Sequence, residues 1–142
     1  MGIVAAPFIG FYCASKWAVE ALHDSLAQEV KGFGIKVTLL EPGAFATDFG
    51  SPLSMKTSQG LDVYAELRNQ VFSHLSTAER GDPQATAEAI LQFVDAQDPP
   101  LRFAVGTGVL PLVRGAYADR LTTWEAWEAV SNSAQGKSIS NR

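Results

Sequence analysis

Apolar and polar positions along this chain change rhythm several times, and each change predicts an element. From about 11 to 31, Tyr12, Ala18, Leu22, Leu26 and Val30 recur near the helical period. Glu20, Asp24, Gln28 and Lys31 mark a wetter side, so the stretch reads as a helix. Gly32 and Gly34 follow where glycines commonly end helices. Residues 2–10 mix glycine, proline and apolar side chains and read as a loop. The run 35–40 is β-branched and apolar with little alternation, the pattern of a parallel strand buried on both faces, and Pro42-Gly43 stops it. A loop rich in Ser, Thr, Gly and Phe covers 44–60, and a helix is expected over 61–75.

Asp82-Pro83 is a helix start, with Asp82 as cap and Pro83 at the first helical position. That helix runs to about Ala96 before Pro99-Pro100, and Phe103–Val105 reads as a short strand closed by Gly106. A last helix is expected over about 109–130, weakened at Gly115 and restarted by the capping-box pattern Thr122…Glu125. The polar tail from Ser131 is expected to fray. Helices alternating with strands indicate an α/β fold with a parallel sheet, in one partial domain over 1–142. Two strands cannot cover both edges of such a sheet, which hints that part of it is missing.

Composition narrows the function classes. Apolar residues make up 46% of the 142 positions and charged residues 18%, a globular balance. The net charge of −4, with no run of Lys or Arg, argues against a nucleic-acid partner or an anionic membrane. No apolar run approaches the ~20 residues that span a bilayer. The apolar N-terminal stretch lacks the preceding positive charge of a signal peptide, and Ala6 replaces the Ser or Thr of a myristoylation site. A single cysteine, Cys13, excludes an internal disulfide and a cysteine-based metal site, and fits a reducing, cytoplasmic setting. No metal site is expected: His23 and His74 have no partner at ligand spacing.

The candidate chemistry lies at the start of the first helix. Tyr12 and Lys16 are four residues apart and so share a face. A phenol with a pKa near ~10 is a poor acid–base catalyst at neutral pH, and a neighbouring ammonium favours its phenolate. Such a tyrosine can protonate a carbonyl oxygen or deprotonate an alcohol while hydride moves to or from a cofactor. The pair alone is short enough to arise by chance, and the surrounding sequence gives it context.

The run Tyr12-Cys13-Ala14-Ser15-Lys16-Trp17-Ala18-Val19-Glu20 resembles the active-site helix of the short-chain dehydrogenase/reductase family. The strand 35–40 and the turn Pro42-Gly43-Ala44-Phe45-Ala46-Thr47 follow in that family's order and spacing. Trp124-Glu125-Ala126-Trp127-Glu128 also looks like the C-terminal helix of some bacterial members. The resemblance implies the C-terminal part of a Rossmann-like, doubly wound parallel sheet. It implies an NAD(P)-dependent oxidoreductase acting on a small-molecule alcohol or carbonyl, with NAD or NADP as cofactor. Tyr12 then matches the acid/base, and Lys16 the residue that lowers its pKa and binds the nicotinamide ribose. Pro42, Gly43, Phe45 and Thr47 match the turn that holds the nicotinamide end. The loop after Thr47 and the helix near 61–75 match the mobile substrate-covering segment. A homo-oligomer is implied for the full-length form.

Several family features do not appear in these 142 residues: the Gly-rich pyrophosphate turn, the carbonyl-polarising serine before the tyrosine, and the helix asparagine. The expectation is therefore that the N-terminal half is missing, that the chain is a fragment, and that alone it has little activity. The alternative is a non-catalytic remnant acting through subunit association along Trp17–Lys31. Other residues read more plainly. Cys13 is expected to be a small buried hydrophobe, and Glu125 and Glu128 a solvated face beside Trp124 and Trp127. Ser15 and Ser25 do not replace the missing serine. Asp48 is a candidate cap, and Phe45, Phe49 and Tyr64 are candidate pocket walls.

Overall fold

The computed structural model describes residues 2–51, 54–58 and 60–136. The polar tail after Gly136, Met1 and positions 52, 53 and 59 of the expected loop lie outside the described residues. The chain divides into two compact units, Met1–Val109 and Leu110–Arg142.

In the first unit, helix α1 spans Gly10–Val30. Its opening turn is closed by the Cys13 amide donating to the Ile9 carbonyl at 2.9 Å. A single turn of 3-10 helix, Lys31–Phe33, tightens its end. Gly34 then takes a left-handed conformation, φ +72°, and donates to the Lys31 carbonyl, which is why glycine serves here.

Strand β1, Leu39–Pro42, pairs in parallel with β2, Arg102–Val105, Leu39 lying opposite Arg102 and Pro42 opposite Val105. The strand thus begins later than the expected 35–40. Continuing the register backwards sets Val37 opposite Pro100 and Lys36 opposite Pro99, and proline has no N–H to donate to a ladder. Thr38 makes the transition, its hydroxyl donating to the Pro100 carbonyl at 2.8 Å. The expectation that the strand is covered on both faces also fails within these residues. Leu39 is buried while its neighbour Leu40 is 44% exposed.

After the loop, a 3-10 turn at Asp62–Tyr64 leads into α2, Ala65–Thr77. A further 3-10 turn, Pro83–Ala85, leads into α3, Thr86–Val94. The start at Asp82-Pro83 is as its residue types require: the Asp82 carboxylate accepts from the Gln84 amide at 2.9 Å. Phe93 of α3 stacks on Phe103 of β2 at 5.0 Å, docking the helix on the sheet. Among the described residues, the buried apolar core consists of Cys13, Leu39, Val105 and Val109.

The described residues of the second unit are helical, apart from short turns. Helix α4, Val109–Ala126, begins at the last residue of the first unit and runs through Gly115 without a break. The expected restart at Thr122…Glu125 is not where the helix breaks. The interruption is at Trp127, which leaves helical geometry with φ −107° and ψ 8°, and α5 follows over Glu128–Ser133. Ser131–Ser133, expected to fray, are thus helical.

Candidate active site

Helix α1 carries Tyr12 and Lys16 one turn apart on one face. The Lys16 ammonium lies 5.7 Å from the centre of the Tyr12 ring, with the tyrosine half-buried and the lysine exposed. The i,i+4 spacing alone dictates this proximity once the helix forms. Ser15 donates its hydroxyl to the Tyr12 carbonyl at 2.7 Å, a bond within the helix.

The turn after β1 stands at the carboxyl end of the sheet, where ligands of open α/β folds sit. Pro42 ends the strand, and the Gly43 amide continues the ladder by donating to the Val105 carbonyl at 2.9 Å. A Cβ at Gly43 would stand 3.0 Å from Val109 Cγ2, so any larger residue would press on that side chain. Phe45 bridges to Gly81 as a short parallel pair, with the Ala46 amide donating to the Gly81 carbonyl and the Gly81 amide to the Ala44 carbonyl, each at 2.9 Å. The Phe45 ring lies between two glycines. A Cβ on Gly81 would meet it at 2.9 Å and a Cβ on Gly106, which holds φ +99°, at 3.3 Å. Phe45 is therefore a packing residue in its side chain, and only its backbone is available for the role the resemblance implies.

Thr47 turns the chain back. Its amide donates to the Phe45 carbonyl at 3.0 Å and its hydroxyl accepts from the Phe49 amide at 3.3 Å. Asp48 caps the next turn through its backbone carbonyl, which accepts from the Ser51 amide at 3.0 Å and the Ser54 hydroxyl at 2.6 Å. Phe49 swings towards α1, its ring 5.5 Å from that of Tyr12. This contact links the Tyr12 end of α1 to the turn.

Two features escaped the sequence reading. The first is Phe8, in the loop before α1. It holds φ +67°, the one positive φ outside glycine among the described residues, and its ring contacts Tyr64, Phe72 and Arg68. Such a conformation costs a bulky residue about 1–3 kcal/mol. No residue-type signal marks it, because phenylalanine in a Gly- and Pro-rich loop reads as plain packing. The second is a charge cluster. Arg102 of β2 donates to Glu20 at 3.1 Å and to Asp24 at 2.9 Å on α1, and stands 3.7 Å from Glu41 of β1. The i,i+4 spacing of Glu20 and Asp24 was the available signal, although it named no partner. Burial pushes the Glu41 carboxyl above its usual range, Glu20 reinforces the push, and Arg102 opposes it. One Glu41 oxygen is buried without a hydrogen-bond partner, since 3.7 Å permits Coulomb attraction but no hydrogen bond. The hydrogen bonds from Arg102 to Asp24, above all, hold the guanidinium more firmly protonated.

The remaining candidates take structural roles. Cys13 is a buried free thiol. His23 is bonded to the Val19 carbonyl and Ser25 to Glu29, so they form no Ser–His pair. Glu125 and Glu128 are exposed beside exposed Trp124 and Trp127. Among the described residues, no group of three or more His, Cys, Asp or Glu is placed to hold a metal ion, and no helix is long and apolar enough to cross a membrane.

Residues 1–58 match the family model described as short chain dehydrogenase. The chain is 38% identical to a 3-ketodihydrosphingosine reductase of Bacteroides thetaiotaomicron, over 82% of this chain and 43% of that protein. It is 34% identical to the estradiol 17-beta-dehydrogenase 1 of Rattus norvegicus, over 80% of this chain and 35% of that protein. The fold superposes on a short-chain dehydrogenase from Streptomyces avermitilis with a TM-score of 0.79 and 33% identity, covering 94% of this chain and 49% of that one. The chain thus spans less than half the length of each of these proteins.

Proposed function

The chain belongs to the short-chain dehydrogenase/reductase family, and on that premise we propose that it supplies the acid/base half of an NAD(P)-dependent oxidoreductase acting on a lipophilic alcohol or carbonyl. The observation that carries this reading is the Tyr12–Lys16 pair on α1, joined through Phe49 to the turn at the carboxyl end of β1.

In this reading the Tyr12 hydroxyl donates its proton to a carbonyl oxygen on reduction, or accepts the alcohol proton on oxidation. The Lys16 ammonium stands one helical turn away on the same face. The donor set fits a nicotinamide nucleotide. The exposed Lys16 suits ribose hydroxyls, and the Thr47 hydroxyl with the backbone from Pro42 and Gly43 to Phe45 suits a carboxamide. Bound there, the cofactor supplies or accepts the hydride. These residues account for the nicotinamide end of such a site. They leave the choice between NAD and NADP to the rest of the cofactor.

Two lines support a lipophilic substrate. The names of two relatives specify a ketosphingoid base and a steroid alcohol. The segment after Thr47 also presents Phe49, Leu61, Val63 and Tyr64, each at least half exposed. The test is NAD(P)H consumption by the intact protein against a panel of long-chain and polycyclic ketones beside small polar ones. Turnover on the apolar members supports the reading, and turnover confined to polar carbonyls contradicts it.

A second reading, subunit association through Trp17–Lys31, draws support from Leu22, 68% exposed on α1, with the exposed Val19 and Leu26 on the same face. Replacing Leu22 by Glu and measuring sedimentation tests it: an unchanged oligomer size contradicts it.

A further inference from the structure

The row Tyr64, Arg68 and Phe72 is spaced by four along the 3-10 turn and α2, so the three side chains form one stripe. All three meet a single ring, that of Phe8. Tyr64 approaches it edge-on at 6.3 Å, Phe72 stacks at 6.5 Å, and the Arg68 guanidinium lies 6.0 Å from its centre. Arg68 also donates to the Leu61 carbonyl at 2.9 Å, tying the stripe to the chain that enters it. Phe8 stands four residues before Tyr12, and α1 begins between them at Gly10.

The backbone at Phe8 holds φ +67°, a conformation a bulky residue adopts only when its surroundings enforce it. Phe8 is 42% exposed, so core burial does not supply that enforcement, and its ring instead meets the α2 stripe. The turn at Thr47 and helix α2 are thus each tied to the neighbourhood of Tyr12 by an aromatic contact, Phe49 on Tyr12 and the α2 stripe on Phe8.

We propose that Phe8 is a positioning residue, one that anchors α2 to the loop leading into the Tyr12 helix and so sets where α2 stands relative to the substrate. Its catalytic consequence rests on the function proposed above, but its structural one does not. The strained φ makes the two separable. Glycine accepts this backbone freely, so Phe8→Gly removes the ring while relieving the strain, whereas Phe8→Tyr keeps the ring.

The experiment is limited trypsin digestion of the intact protein, following cleavage after Arg68 by mass spectrometry, beside thermal melting. In Phe8→Gly, cleavage after Arg68 should rise roughly tenfold with no fall in melting temperature, because only the local opening of α2 becomes easier. Phe8→Tyr should be cut at the native rate. Phe72→Ala, which removes the contact from the other side, should expose the same peptide. On an apolar ketone, Phe8→Gly should raise KM and leave kcat near native. Native cleavage rates in both Phe8→Gly and Phe72→Ala would overturn the proposal, and so would equal loosening by Phe8→Tyr. If Tyr12→Phe keeps full turnover, the functional reading fails while the digestion still decides the role of Phe8.

Discussion

The rings of Tyr12 and Phe49 lie 5.5 Å apart at an angle of 44°, a contact that joins the first helix to the turn after the first strand. Thr47 prepares it, since its hydroxyl accepts the Phe49 amide and sets the direction of the chain. Phe49 is 68% exposed, so the contact contributes through ring–ring geometry more than through burial. Phe49→Ala should therefore destabilise by about 0.5–1.5 kcal/mol in chemical denaturation, and Phe49→Tyr by much less. A loss in Phe49→Tyr equal to that in Phe49→Ala would show that the ring contact is not what matters.

The Phe45 ring lies between Gly81 and Gly106, and the two glycines are required for different reasons. Gly81 lacks space, since its Cβ would stand 2.9 Å from the ring. Gly106 lacks an allowed backbone for any other residue, at φ +99°. Gly106→Ala should cost about 1–2 kcal/mol from the backbone alone. Gly81→Ala should instead displace Phe45, so pairing it with Phe45→Leu should recover part of the loss. A double-mutant cycle by thermal melting measures this, and simple additivity would contradict the packing described.

Glu41 gives stability a pH dependence of definite sign. Its carboxyl is raised by burial and by Glu20, more than Arg102 lowers it, so the folded chain binds this proton more tightly than the unfolded one. Its contribution is then fully present below the unfolded value of 4.5 and is lost as pH rises through the higher folded value. Glu41→Gln keeps the shape and removes the ionisation. The variant should melt higher than the native chain at neutral pH, with the gap closing towards pH ~4. A gap that widens on acidification would reverse the assigned sign.

Much of the architecture was legible in the sequence because local chemistry decides it. Gly34 ends α1 in a left-handed turn, and Asp82 with Pro83 starts a helix, each as its residue type dictates. The strand at 35–40 was misplaced because pairing is non-local: Pro99 and Pro100, over sixty residues away, deny Lys36 and Val37 a partner. Tyr12 and Lys16 meet because helical spacing makes them meet. The Phe8 contacts and the Arg102 cluster join residues distant in sequence, and neither leaves a periodic trace. Trp127 breaks the last helix where the residue types suggested Thr122, with no cap side chain to announce it.

The central claim is that Tyr12 is the acid/base of a hydride-transfer reaction. The most direct measurement is the turnover of Tyr12→Phe in the intact protein, with NAD(P)H binding followed in parallel by fluorescence titration. Turnover should fall by about 10²–10⁴-fold while cofactor binding stays near native, because only the proton-transferring hydroxyl is removed. Native turnover in Tyr12→Phe would contradict the claim.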